Sequence, residues 1–410
     1  MPLDPWLTVV VPTRNRSALA IAAVKSVLSE GVSATVILSD NSTNDHDHEA
    51  LAEFCSSQNP ESLQLLRPAE SLSMSGHWQW AMASAMQLTG STHYTVLTDR
   101  MVFKSGHLRE ALRHVARHPS DVLTYNYDKV EDASSPVHVE LEPWSGQLLE
   151  LGAAHLLRLS ARGVYSNALP RMLNTIVPRP LLGTLEQRFG SVFASISPDV
   201  CFAYRCLAMV DRLLYFDKAV LLQYAVGRSQ GLNYARGIRA PEVVDFAAML
   251  GSEKPNFSCA PIPSLQTVGN AMFHEYAFVR AEAGSARFPE IDRWNYLGAM
   301  AWNSRDLQDQ QWAAEVNQTL KTEGWTRWDS IRWVLQRAVP AVWHEPGRLL
   351  RPIRNRLSPR FTNAQEAFDY ANHRRRRKSL SLAHHWQLRP KPLEAPSRRR
   401  KGPAEALIPE

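Results

Sequence analysis

Glycine-rich phosphate loops are missing where this chain would most need one. Its first apolar run ends in PTRNRS (12–17), without GxGxxG or a Walker lysine, which argues against a dinucleotide or a P-loop triphosphate as the ligand. Cysteine is scarce: Cys55, Cys201, Cys206 and Cys259 form no CxxC pair and no metal-ligand spacing, so they read as reduced, partly buried thiols. No apolar run of about 18 residues occurs, so no spanning helix is expected. The start, MPLDPW, lacks a basic patch followed by an apolar core, so a cytoplasmic location is expected. A net positive charge is also absent from most of a chain whose pI is about 9.2. Residues 348–410 hold 16 Lys+Arg against 5 Asp+Glu, a net of +11; the total is +6, so residues 1–347 carry −5. Because the basicity belongs to the tail, a nucleic-acid partner is not expected.

What is present begins with Leu7–Asp45. Thr8–Val11 is a β-branched run stopped by Pro12; apolar residues then recur at Leu19, Ala22, Ala23, Val27 and Leu28, a helical spacing ended by Gly31; Thr35–Leu38 is a second run, ending on Ser39, Asp40, Asn41 and Ser42. Strand, helix, strand over some forty residues is a right-handed parallel crossover. Ligands of such sheets sit beyond the carboxyl ends of the strands, where residues 13–16 and 40–45 lie. A nucleotide held by side chains fits: Asp40 as acceptor from base or ribose, Thr13 and Arg14 as donors. Asp40, Asn41 and Ser42 also suit a plain turn and helix cap.

VVVPTRNR followed by VILSDNSTND resembles the opening of the family 2 glycosyltransferases, α/β enzymes of the GT-A fold with a Rossmann-like mixed sheet. The resemblance implies a sugar-nucleotide donor held by Thr13 and Asp40. Further along, SLSMSGHWQWAMASAM (71–86) reads as a capped helix, where His77 meets the donor base or, as a single histidine at a helix start more often does, is structural. In HYTVLTDRMVF (93–103), Asp99 matches the first acid of the family's DxD-like motif, which implies ribose contact and a divalent metal, Mg or Mn. Arg100 and Met101 stand where further acids belong. One carboxylate makes a poor metal site, whereas Arg100 is able to neutralise a diphosphate by itself. SISPDVCFAYRCLA (195–208) resembles the catalytic stretch and implies Asp199 as general base of an inverting transfer; a helix N-terminal acid favoured by the macrodipole is the plainer alternative. Arg228 and Arg236, in GRSQGLNYARG (227–237), suit a flexible segment closing over the diphosphate or an exposed basic loop.

The expected organisation is a GT-A domain over 1–240, a helical appendage over 241–345, and a basic, proline-rich, disordered tail over 346–410. Eight of the 12 tryptophans lie at or after Trp294, and Trp328, Trp333 and Trp343 adjoin the tail. An anionic membrane surface, at the inner face, is therefore an expected partner of the tail, beside the nucleotide-sugar donor and a glycan or lipid-linked acceptor. A non-catalytic nucleotide-sugar-binding module is the main alternative. A sugar nucleotidyltransferase is disfavoured, because it would want glycine and lysine in the loop after the first strand.

Overall fold

The structure, a computed structural model, describes residues 6–132, 135–229, 256–284, 287–344, 359–373 and 385–393, with a few single residues between 231 and 249. Twelve strands form one mixed sheet, ordered β12-β8-β10-β6-β9-β4-β1-β2-β3, with β5, β7 and β11 paired beside this path. One end of it is formed by β4 (His93–Val96), β1 (Leu7–Thr13), β2 (Ala34–Asp40) and, at the edge, β3 (Leu63–Leu66), all mutually parallel, so the expected α/β class is present. Every residue of β1 is buried, because helices cover both of its faces. Leu7, Val9 and Val11 enter one core, with Ala20, Ala23 and Val24 of α1 (Ser17–Leu28) and Leu108, Ala111 and Val115 of α4 (His107–Arg117). Val10 enters the other, with Trp78 and Met82 of α3 (Met74–Leu88) and Phe202 and Tyr204 of α7 (Pro198–Met209). This division is the two-residue period of a strand. Pro12 is tolerated in a central strand because the pairing with β4 ends at Val10, where its missing N–H has no partner to lose.

In the other half of the sheet two apolar runs, Leu213–Phe216 and Ala219–Leu222, belong to one strand, β10 (Arg212–Gln223), whose register with β6 (Leu123–Glu131) shifts between Phe216 and Ala219 and again before Leu221. The polar pair in the irregularity explains the apparent break: buried Asp217 accepts from the Ser145 amide at 2.8 Å and pairs with His385 at 2.8 Å, while Lys218 reaches Glu110. Short strands β5 (Met101–Phe103), β7 (Val137–Glu140), β8 (Leu148–Gly152) and β9 (Thr175–Pro178) complete it.

Helix α8 (Val268–Ala283) lies beyond residue 240 yet puts Tyr276 and Val279 into the α7 core, while its Phe273 enters a third, helical core with Tyr296 and Met300 of α9 (Arg293–Asn303), Val316 and Leu320 of α10 (Gln310–Thr322), and Trp333 of α11 (Arg327–His344). The boundary near 240 itself falls outside the described residues. Two parts of the stretch expected to be disordered are built into the sheet. Strand β11 (Arg360–Phe361) pairs with β7 and is followed by α12 (Ala364–His373), and β12 (Lys391–Pro392) pairs with β8. Phe361, Phe368 and Tyr370 supply the apolar packing that the arginine-rich composition hides. Among the described residues no helix is long and apolar enough to cross a membrane.

Candidate functional site

A cleft of about 340 Å³ opens beyond the carboxyl ends of β1, β2 and β4 and is closed on the far side by the start of α7 and by Val268, Ala271 and Met272 of α8. Two loops form its floor, laced together by Asn15. Its backbone is left-handed (φ 54°), a conformation asparagine tolerates, and its side-chain oxygen accepts from the Thr43 amide at 2.9 Å and the Asn44 amide group at 2.9 Å. The Asn15 amide donates to Ser42 Oγ at 2.9 Å. Thr13 and Asp99, widely separated in sequence, meet here: Thr13 Oγ1 donates to Asp99 Oδ2 at 2.9 Å. Arg16 Nε lies 2.9 Å from the same oxygen. Arg14 lines the cleft and braces its rim, donating to the Asn41 carbonyl at 3.2 Å and Ser71 Oγ at 2.5 Å.

Asp40 is not brought into the cleft. It is fully buried beneath the rim, Oδ1 accepting from the Ser42 amide at 2.8 Å and Oδ2 facing His48 Nδ1 at 2.8 Å, and its neighbour Asn41 lines the cavity instead. The turn-forming role open to Asp40 in the sequence is the one these bonds describe. His77 also ties elements together, its Nε2 2.8 Å from Ser39 Oγ. Burial pushes its pKa down to about 4, so it is neutral near pH 7.

Four arginines and two aspartates line the cleft: Arg14, Arg16, Arg100 and Arg171 against Asp99 and Asp199. Arg100 Nε and Nη1 are buried without a hydrogen-bond partner among the described residues, as is Arg171 Nε, whose Nη2 donates to the Tyr127 hydroxyl at 3.0 Å. Burial pulls Arg100 below the usual arginine range and Asp99 opposes it. For Arg171, burial is outweighed by Tyr127 and Asp199, and the net direction is up. Buried donors left open in this way cost about 1–3 kcal/mol each unless a ligand accepts from them. Sequence reading missed Arg16 and Arg171; the first lay inside the quoted PTRNR motif, while the second follows Pro170 with no local signal.

Asp199 stands in the first turn of α7, after Pro198. Burial pushes its carboxyl above the usual range, against Arg171, the amides of Val200 and Asp199, and Arg100. Its loop is held from α8. Glu275 Oε1 accepts from the Ile196 amide at 3.1 Å and the Ser197 amide at 2.7 Å, and Ser195 Oγ, on a residue with φ 63°, meets His274 Nε2 at 3.1 Å. Glu275 was not foreseen, because it lies 76 residues beyond Asp199.

Arg228 sits on the exposed edge, donating to the Asn15 carbonyl at 3.3 Å and accepting from Arg16 at 3.2 Å through its own carbonyl. Arg236 lies outside the described residues. The donor set fits a divalent metal poorly. The Asp99 carboxylate is engaged by Thr13 and Arg16, and among the described residues no group of three or more His, Cys, Asp or Glu is placed to hold an ion.

No protein-family model matches the sequence, and no curated protein matches it. The fold is similar to that of S. aureus TarS 1-349 at 15% identity, over 74% of this chain and 81% of that one, with a TM-score of 0.40. The same S. aureus protein in complex with UDP-GlcNAc matches at 13% identity, over 74% of this chain and 82% of that one, with a TM-score of 0.41. The mannosyltransferase PcManGT from Pyrobaculum calidifontis, in complex with GDP-Man and Mn²⁺, matches at 13% identity, over 83% of this chain and 88% of that one, with a TM-score of 0.40.

Proposed function

We propose that the protein is an inverting glycosyltransferase of the family 2 type, moving a sugar from a nucleotide-sugar donor to a glycan or lipid-linked acceptor. One observation supports this reading above the others: buried arginine donors without partners among the described residues and a half-buried aspartate of raised pKa line the same cleft, at the carboxyl ends of the parallel strands of a mixed sheet. The nucleoside would lie over Thr13, Arg14, Asn41 and Asp99, with Asp40 shaping the rim from below. Arg16, Arg100 and Arg171 would face the diphosphate, and Arg228 holds Arg16 from outside. The acceptor hydroxyl oxygen attacks the anomeric carbon and the bond to the diphosphate oxygen breaks. The electron pair leaves with the nucleoside diphosphate, whose growing charge the guanidinium groups stabilise, and the hydroxyl proton passes to the Asp199 carboxylate. No step is assigned to a metal.

The test is calorimetry with UDP, GDP and their monophosphates, together with nucleotide release from a panel of UDP- and GDP-sugars. The reading expects a nucleoside diphosphate to bind at least tenfold tighter than its monophosphate, and turnover of at least one donor. Tight binding with no turnover of any donor under any acceptor mixture favours the binding-module alternative. No nucleotide binding removes the proposal.

A further inference from the structure

Helix α11 is attached to the molecule by one face. Trp333 and Ala341 are buried, and Arg337 stacks on Trp333 at 4.3 Å and donates to the carbonyl oxygens of Arg162 at 2.6 Å and Gly163 at 3.4 Å. Trp333, expected with Trp328 and Trp343 to adjoin a membrane, is therefore an internal anchor. The opposite face carries Trp328, Ile331, Leu335, Val339 and Trp343, all exposed; Trp328 and Trp343 are exposed by 78% and 82%. Their spacing of three, four, four and four residues keeps them, at about 100° per residue, within an arc of about 120°. A stripe of five large apolar side chains running the length of an 18-residue helix is more than the scattered exposure normal on a soluble surface.

The charge around the stripe selects its occupant. Arg327 and Arg332 lie on the helix, and Asp329, its one acid, is engaged at the helix start by the Thr326 amide at 2.9 Å and hydroxyl at 2.6 Å. The stretch that follows the helix in sequence, residues 345–366, adds five arginines (348, 351, 354, 356 and 360) against two acids, Glu345 and Glu366. Tryptophans at both ends of an aliphatic stripe, bordered by arginine, are the composition of a helix lying in a bilayer headgroup layer. A second copy packed stripe to stripe would bring the same cations face to face.

We propose that α11 is a membrane-docking helix whose Trp328–Trp343 stripe lies in the surface of an anionic lipid bilayer. The inference is independent of the proposed activity. Its test is co-sedimentation of the full chain with vesicles of phosphatidylcholine and phosphatidylglycerol in equal parts, and of phosphatidylcholine alone. The comparison is a variant combining Trp328→Ser, Leu335→Ser, Val339→Ser and Trp343→Ser, which keeps every arginine. The wild-type chain should partition onto the mixed vesicles and weakly onto the neutral ones. The variant should bind the mixed vesicles at least tenfold less, with an unchanged unfolding temperature and a monomeric sedimentation profile for both proteins. Equal partition of the two would assign binding to the basic tail, and no partition of wild type would remove the membrane; either overturns the proposal. So does a wild-type dimer that the variant abolishes, which would make the stripe an interface between copies. A lowered unfolding temperature would show that the chain itself covers the stripe, with the same consequence.

Discussion

Replacing Glu275 by glutamine should flatten the pH dependence of stability, and the structure sets the size and sign of the effect. Glu275 is fully buried on α8 and accepts from the amides of Ile196 and Ser197. Burial pushes its pKa from 4.5 to about 8, with those hydrogen bonds opposing and Asp199 adding to the rise. A carboxyl whose folded pKa lies above its unfolded one favours the folded state in its protonated form. Below pH 4.5 that contribution is fully present. Between 4.5 and about 8 the folded chain holds a proton that the unfolded chain has lost, so stability falls with rising pH by up to about 1.4 kcal/mol per unit. The whole window amounts to roughly 5 kcal/mol as an upper figure. Glutamine keeps the acceptor for both amides and has nothing to titrate. Urea unfolding of both proteins at pH 5, 6, 7 and 8 should therefore show the wild type losing stability relative to Glu275→Gln at each step. Parallel profiles would refute the reasoning, since they would mean that Glu275 is ionised in the fold or that the loop at 195–199 is held by something else.

Arg100→Ala should weaken nucleoside diphosphate binding by about 1.5–3 kcal/mol, the worth of hydrogen bonds to a charged group, and should leave the bare nucleoside nearly unaffected by calorimetry. EDTA should change neither affinity, given the poor metal donor set. Arg205, 1% exposed, is paired bidentately with Glu282 and donates to the Ser191 carbonyl at 2.9 Å. Arg205→Ala should cost about 3 kcal/mol by thermal unfolding, the lower end for breaking a buried pair, because Glu282 at 28% exposure regains water. Gly298→Ala would place a Cβ 2.3 Å from the Trp333 ring; at least about 2 kcal/mol of destabilisation and a changed near-UV tryptophan spectrum should follow.

Much of the first half of the fold was legible because its signals are local. α1 (Ser17–Leu28) occupies the residues that the spacing of Leu19, Ala22, Ala23, Val27 and Leu28 marks, with Gly31, at φ 57°, just beyond it, and α3 (Met74–Leu88) lies where SLSMSGHWQWAMASAM reads as a capped helix. Strands β5 and β9, three and four residues long, have too few positions for a pattern, and neighbouring strands supply their pairing. Along β10, Asp217 and Lys218 split the apolar pattern in two, and the groups that satisfy them, His385 and Glu110, are remote in sequence. The site divides in the same way. Thr13, Arg14, Asp99, Arg100 and Asp199 sit at strand or helix ends that the sequence marks, and the fold brings them to one cleft. Asp40 shows the limit: its position was marked, but its hydrogen bonds were not. Arg171 and Glu275 reach the Asp199 side of the cleft from other elements, and only a folded chain reveals that.

The proposed transfer depends most directly on Asp199 as the base, and Asp199→Asn tests it. The change is nearly isosteric and leaves the arginine cluster in place. With a donor that wild type turns over, kcat should fall by several orders of magnitude while calorimetric affinity for the nucleoside diphosphate stays within about threefold. The wild-type kcat/KM should rise with pH through an ionisation above the usual aspartate range, the direction in which burial moves this carboxyl. Turnover retained in Asp199→Asn, with that limb still in its pH profile, would contradict the assignment of the base.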